Sequence, residues 1–260
     1  MAFSYLGPNI TNIFTDASTT NTSSTMVSVG SGFVVTRNNS LVDQKVQVFH
    51  NSTSSFGEIY AVFMAANWIY RDAWIKRYRY GQDPLAEQHV YNIFSDSQYT
   101  VGTLSKWIKE WFNNVEYQYC NGNGNHWFPI VTKANGKYPA HYECLLSTVK
   151  TLIDSNVYVN LFHIKGHVDL NHDNEIKNAL NMFKHNPIFK KKELKSNPPS
   201  KNTMISLIQW NHYIDKLSRD ILHNHLKTVC FEYGNGGFPQ WPIMYNITPM
   251  DLVHYKHMVR

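Results

Sequence analysis

The strongest constraint on how this chain folds is a change of hydrophobic period at Glu58. Ahead of it lie three apolar, β-branched runs: Ile13 and Phe14 leading into Asp16, then residues 32–36 after a Ser/Thr/Asn-rich turn, then 41–49. Such runs in succession predict an antiparallel meander. Beyond it, Ile59, Val62, Phe63, Ala66 and Ile69 recur at helical spacing, which predicts a helix with Ser54 or Ser55 as its N-cap. Residues 90–95 form a short buried-type strand ending at Asp96. Val101, Leu104, Ile108 and Trp111 mark a second helix, and 141–153 a third. Residues 157–164 alternate as a fifth strand, and Ile214, Leu217, Ile221 and Leu222 supply the apolar face of a late helix over 213–226. The order β-β-β-α-β-α-α-β-α predicts an α/β fold: a five-stranded mixed sheet, antiparallel meander plus parallel strands, flanked by helices on both faces. No internal repeat is visible.

Two segments stand outside this scheme. Residues 168–208 read as a short helix followed by a basic loop holding Lys190, Lys191, Lys192, Lys195 and Pro198-Pro199. Residues 227–260 are rich in aromatics, with Thr248-Pro249 capping a last helix. Residues 1–226 are therefore expected to form one domain with a basic insertion, and 227–260 an extension that packs on it or binds a partner, such as a component of replication. A chain of 260 residues that is 43% hydrophobic can bury a full core. Its net charge of +5 and pI of 8.9 suit a polyanionic ligand without demanding one. Cys120, Cys144 and Cys230 are odd in number and widely spaced, so a disulfide framework is not expected. The start has no basic stretch followed by an apolar run, and no later run is long enough to span a bilayer. The expectation is a monomer away from membranes, in the cytoplasm or another reducing intracellular compartment. Cys120, His126, His141 and Cys144 raise a zinc reading, but their spacing is irregular for a zinc ribbon.

The chemistry lies in four acids. Asp16 and Asp96 are read as ending the first and fourth strands, and Glu58 and Asp215 as sitting in the first turns of the first and last helices. If those strands are neighbours, the carboxylates meet at one sheet edge, where helix starts favour negative charge. Four carboxylates at one point repel unless a cation sits among them, and hard oxygen ligands suit Mg²⁺ or Mn²⁺. Taken singly, each acid is equally well a turn residue or a dipole partner.

The words around the acids occur in order: Thr15-Asp16-Ala17-Ser18, Gly57-Glu58, Ser95-Asp96-Ser97-Gln98-Tyr99, Ile164-Lys165-Gly166-His167 and Asn211-His212-Tyr213-Ile214-Asp215. This set resembles the type 1 ribonuclease H family, whose members carry TDGS, an MEL or AEL helix start, TDSQY, KGH and an N-x-x-x-D helix start. The resemblance spans residues 12–226. It implies the RNase H-like fold and endonucleolytic cleavage of the RNA strand of RNA/DNA hybrids, leaving 5′-phosphate and 3′-hydroxyl ends. By that likeness, two Mg²⁺ ions, replaceable by Mn²⁺, are held by Asp16, Glu58, Asp96 and Asp215. Asp16 bridges both, Glu58 and Asp96 share one, and Asp215 completes the other. His167 matches the mobile histidine that shuttles a proton or helps release product. Substrate contacts are implied at Ser18, Gly32, Ser54, Ser55, Ser97, Gln98, Lys165, Trp107 and Trp111. The two tryptophans match positions that lead into the basic handle of bacterial members, and Gly30-Ser31-Gly32 is expected to let backbone approach the nucleic acid.

The chain also departs from the family pattern. Ser54-Ser55-Phe56-Gly57 stands where Asn, Gln or Thr usually precedes the helical Glu, and residues 113–125 are rich in Asn and Gly without the lysines of a handle. Positive charge moves to Arg71, Lys76, Arg77 and Arg79, and to Lys190, Lys191, Lys192 and Lys195, which are expected to form a phosphate-binding arm rooted beside the site. Two alternatives stay open: a nuclease of the same fold acting on single-stranded or branched DNA, and a catalytically silent module that binds hybrid or a partner.

Overall fold

The computed structural model describes residues 5–21, 27–111, 116–122, 124–130, 141–190, 198–229 and 249–259. At the centre of its sheet, two nearly identical words lie side by side. Strand β1 (Ile10–Asn21) carries Asn12-Ile13-Phe14-Thr15-Asp16, and β4 (Val90–Ser95) carries Asn92-Ile93-Phe94-Ser95 with Asp96 following. The two pair in parallel with Asn12 opposite Asn92, Phe14 opposite Phe94 and Thr15 opposite Ser95. Strand β2 (Val27–Arg37) and β3 (Ser40–His50) complete the meander, and β7 (Tyr158–His163) lies parallel to β4 on its other side. The sheet order is β3-β2-β1-β4-β7, the mixed five-stranded arrangement expected from the sequence.

Alternation along the strands sorts residues into layers. Ile13, Ile93 and Leu161 face the core shared with α1 (Ser54–Tyr80) and α4 (Tyr142–Ser155). On the opposite face, Asn12, Asn92 and Asn160 form a buried amide ladder, each amide nitrogen donating to the next oxygen at 2.9 Å and Asn12 ending it on the Tyr5 carbonyl at 2.8 Å. One layer along, Phe14, Phe94 and Phe162 stack at 4.9 and 5.1 Å, continuing onto Phe183 of α5 (Asp173–Phe183) at 5.2 Å. The next layer is Asp16 and Asp96. α6 (Lys201–Val229) covers this face with Met204, Leu207, Ile208 and Ile214.

Several boundaries differ from those expected. β1 does not end at Asp16, because pairing with β2 continues from Asp16↔Gly32 to Asn21↔Val27 after β4 has stopped. Thr53, not Ser54 or Ser55, caps α1, accepting from the Phe56 N–H at 3.1 Å. The second helix is broken into α2 (Gln98–Gly102), a π turn (Thr103–Trp107) and α3 (Ile108–Trp111). The Asn/Gly-rich stretch contains a hairpin, β5 (Glu116–Gly122) and β6 (Gly124–Ile130), consistent with Asn-Gly as a favoured hairpin word. α6 begins at Lys201 rather than 213: Ser200 accepts from the Thr203 N–H at 3.2 Å, just after Pro198-Pro199 has ended the preceding segment. The expected insertion thus holds α5, a 3₁₀ turn (Pro187–Lys190) and the first part of α6, while residues 191–197, with Lys191, Lys192 and Lys195, lie outside the described residues.

A last helix does follow Thr248-Pro249, as the sequence suggests. This is α7 (Pro249–Met258), and its Tyr255 is buried in the core beside α4, donating to the Leu104 carbonyl at 3.0 Å. Val259 bridges in parallel to Val159 on β7, and Lys109 donates to the Val259 carbonyl. Among the described residues, no helix is long and apolar enough to cross a membrane.

Candidate metal centre

Asp16, Glu58 and Asp96 each offer a carboxylate oxygen, and these atoms all lie within 4.8 Å of one another. Three elements bring them together. The parallel register sets Asp16 and Asp96 one step past the last β1–β4 pair, and α1 starts over the same edge, where Ser31 Oγ donates to the Gly57 carbonyl at 2.6 Å. Glu58 stands in the second turn of α1, not the first, and the first turn holds no acid. Asp215 is fourteen residues past Lys201, in the middle of α6, or about 21 Å from its start at 1.5 Å per residue. Helix-start dipoles therefore do not gather these acids, as the sequence reading supposed; strand register and helix packing do.

The three carboxylates are electrostatically uncomfortable together. Burial, then the charges of Asp96 and Asp215, push Asp16 up to about 8, against the opposing Ala17 N–H and Arg219. Glu58 is held well above the usual carboxylate range by burial and then by Asp16 and Asp96. Asp96 is raised chiefly by burial. Asp16 Oδ1 accepts from the Ala17 N–H at 2.8 Å, whereas Glu58 Oε2 is buried with no hydrogen-bond partner among the described residues. An orphaned oxygen beside two like charges fits a hard divalent cation.

Around this trio stand six further residues. Asp215 accepts from Arg219 Nη2 at 2.6 and 2.5 Å, and the exposed His167 places Nδ1 3.8 Å from Asp215 Oδ2. At Gly166 the backbone passes so close to Asp96 that a Cβ there would sit 2.4 Å from its Oδ2. His163, at the end of β7, approaches the Asp96 carbonyl with Nε2 at 3.1 Å, and Asn186 Oδ1 accepts from the His163 N–H at 2.6 Å. Sequence reading missed Arg219, His163 and Asn186. Only the i+4 spacing of Arg219 from Asp215 on one helix offered a signal.

The RNase H family model matches residues 8–182 of the 260. This chain belongs to the RNase H family. Asp215 lies beyond the matched span, in α6. No curated protein matches the chain in sequence. Among solved structures, it is similar to the foamy viral protease-reverse transcriptase in complex with RNA/DNA hybrid, at 13% identity and TM-score 0.42 over 66% of this chain and 19% of that one. The chain thus spans about a fifth of that protein's length. It is also similar to the PFV RNase H domain (18%, TM-score 0.41, 62% of this chain and 82% of that). RNase H1 of Halobacterium salinarum is similar too (12%, TM-score 0.35, 60% and 85%).

Within this RNase H family chain, the expected substrate residues divide. Ser54 and Ser55 are exposed at the start of α1, and Gln98 is exposed at the start of α2, all near the acid edge. Ser18 is half-buried on β1 beyond Asp16. Ser97 is used as the N-cap of α2, accepting from the Thr100 N–H at 3.2 Å. Lys165 faces Glu175 at 3.9 Å, and half-buried Trp107 lies against Gly102 and 6.0 Å from Tyr99. Gly32 requires a correction: it is buried, and a Cβ there would meet Val46 Cγ2 at 2.6 Å and Ser218 Oγ of α6 at 3.0 Å. At Gly30 a Cβ would meet the Ser218 carbonyl at 2.6 Å, so these glycines admit a helix rather than nucleic acid. The side chains of Trp111 and Lys190 lie outside the described part, as do those of Cys120 and His126 from the zinc reading. Cys144 is buried, and burial raises its thiol pKa.

Proposed function

We propose that this chain is a metal-dependent ribonuclease H that cuts the RNA strand of RNA/DNA hybrids. The observation that carries the reading is the trio Asp16, Glu58 and Asp96, drawn within 4.8 Å and left with a buried, unpaired Glu58 oxygen. In the proposal these three hold the cations, Mg²⁺ or Mn²⁺, and Asp215 completes the set from α6. When bound, two such ions supply Lewis-acid charge to the attacking water and to the departing 3′ oxygen, so that cleavage leaves 5′-phosphate and 3′-hydroxyl ends.

The chain's own residues do the rest. Asp16 is fixed by the Ala17 N–H, and Asp96 is fixed by Gly166 packing beneath its carboxylate and His163 beside its carbonyl. His167, exposed beside Asp215, takes or returns a proton at its ring nitrogen. Ser54 and Ser55 offer hydroxyls to the RNA 2′-hydroxyls, with Ser18 and Gln98 nearby. Lys190, Lys191 and Lys192 are assigned to general attraction of a polyanion, as part of the net charge of +5.

Phe56, which departs from the family pattern, gives no support to a preference for DNA alone. That ring is buried edge-on to Phe49 at 5.4 Å, leaving the exposed serines, not the phenyl group, at the helix start. The test is incubation of the full chain with labelled RNA/DNA hybrid, RNA duplex, DNA duplex and single strands, with Mg²⁺ or with EDTA. Cleavage of the hybrid's RNA strand only in Mg²⁺ is the expected result. Cleavage of DNA-only substrates instead, or no turnover on any, overturns it.

A further inference from the structure

The far half of α1 presents a surface that the catalytic reading does not use. Tyr70, Trp74, Tyr78 and Tyr80 are 42%, 50%, 73% and 62% exposed, an aromatic density out of keeping with a merely solvated helix face. Trp74 and Tyr78 are one turn apart with ring centroids at 5.2 Å, and the Arg79 guanidinium lies 5.9 Å from the Tyr80 ring centroid. Arg71, exposed, stands one turn before Trp74.

The charge on this half is one-sided. Between Asn67 and Tyr80 the only acid is Asp72, and it is turned inward onto Arg37, Lys76 and the Tyr91 hydroxyl at 2.8, 2.8 and 2.7 Å. Arg77 is committed to the carbonyls of Ser155 and Asn156, and Gly81 closes the helix in the left-handed region. These ties hold the outer turns rigid. What remains facing solvent is Arg71, Arg79 and the four rings, with no exposed carboxylate among them. Trp74 is sixteen residues from Glu58, about 24 Å along the same helix.

We infer that this face is a binding platform for single-stranded nucleic acid, separate from the acid trio. Each base presents a π face that stacks on Trp74 or Tyr78, which share one face of α1 with Tyr70 and Arg71, while Arg71 and Arg79 neutralise backbone phosphates. Aromatic residues and arginine also serve protein interfaces. On α1 itself this half carries no exposed acid, and the exposed Asp83 just past the helix is paired with Arg77 at 3.2 Å, so Arg71 and Arg79 favour a polyanion over a protein of ordinary mixed surface.

The experiment measures binding of a labelled single-stranded thymidine oligonucleotide to the full chain in EDTA by fluorescence anisotropy across a salt series, alongside hybrid cleavage in Mg²⁺. Trp74→Ala with Tyr78→Ala weakens oligonucleotide binding by roughly tenfold or more, and Tyr78→Phe retains it. Arg71→Gln with Arg79→Gln lowers the salt slope by about 1.4, at ~0.7 per phosphate contact on a single strand. Hybrid turnover at saturation is unchanged in all of these variants. Binding is read without metal, so loss of the nuclease reading and loss of the platform are separate outcomes. Unaltered oligonucleotide affinity in the Trp74/Tyr78 variant sinks the platform, as does a parent chain that does not bind the strand. Self-association of the parent that the same variant abolishes assigns the face to a second copy instead.

Discussion

Arg219 reaches back one turn of α6 and sets its Nη2 2.6 and 2.5 Å from the two carboxylate oxygens of Asp215. Asp215 thus already has a cationic side chain against both its oxygens. The arrangement makes Arg219 a competitor of any metal ion at Asp215.

Arg219→Gln therefore tightens divalent-ion binding at the position that needs Asp215. An exposed pair of this type is worth ~0.2–1 kcal/mol, so the gain is up to about fivefold in affinity. Mn²⁺ titration followed by electron paramagnetic resonance reads it directly. Identical isotherms for parent and variant would place Asp215 outside the metal site.

The acid trio links stability to pH and metal. Folding raises Asp16 to about 8 and Glu58 in the same direction, so the protonated forms favour the folded state. That contribution is complete below the ordinary carboxylate range, ~4, and is lost as pH rises through the folded values. Glu58→Gln removes the group that titrates, so its stability advantage over the metal-free parent grows as pH rises. Mg²⁺ likewise raises the parent's Tm more at about pH 8 than at about pH 5. A Mg²⁺ effect independent of pH in thermal melts would separate the trio from metal binding.

Gly166→Ala forces a methyl group to within 2.4 Å of Asp96 Oδ2 unless one of them moves. The expected result is a fall in hybrid turnover of roughly 10²-fold, as for other small displacements of a reacting group, with weaker Mn²⁺ binding and an unchanged far-ultraviolet spectrum. Turnover within twofold of the parent would mean that Asp96 tolerates the shift.

Asp96→Asn should abolish cleavage while leaving hybrid binding in EDTA intact, since shape is kept and one ligand charge is lost. His167→Ala should slow turnover by roughly 10²–10⁴, or less where release dominates. Single-turnover cleavage assays check both, and full activity in either variant removes that residue from the chemistry.

Asn92→Leu breaks the amide ladder at its middle, leaving Asn12 Oδ1 and Asn160 Nδ2 buried without their partner. At ~1–3 kcal/mol for each of the two stranded polar groups, the cost is about 2–6 kcal/mol, read from the urea midpoint. A variant as stable as the parent would show that the ladder does not hold the β1–β4–β7 register.

Much of this protein is local, and local features are legible in a sequence. Period 2 before Glu58 and period 3.6 after it arise from how consecutive side chains project, so the sheet-then-alternation order and the strand at Val90–Ser95 could be read directly, while the clustered acids were marked by the short words around them and their likeness to a known family. Even the paired words Asn12-Ile13-Phe14-Thr15-Asp16 and Asn92-Ile93-Phe94-Ser95-Asp96 were present, though five residues apiece are too short to mark a repeat. Their meaning appears only when parallel pairing lays amide on amide, ring on ring and acid beside acid. The tertiary structure alone decided that Asp16 is mid-strand, that Gly30 and Gly32 make room for α6, that Phe56 turns inward and that Arg219 holds Asp215. Each of those depends on which surfaces meet across long stretches of chain, and no spacing along one segment encodes that.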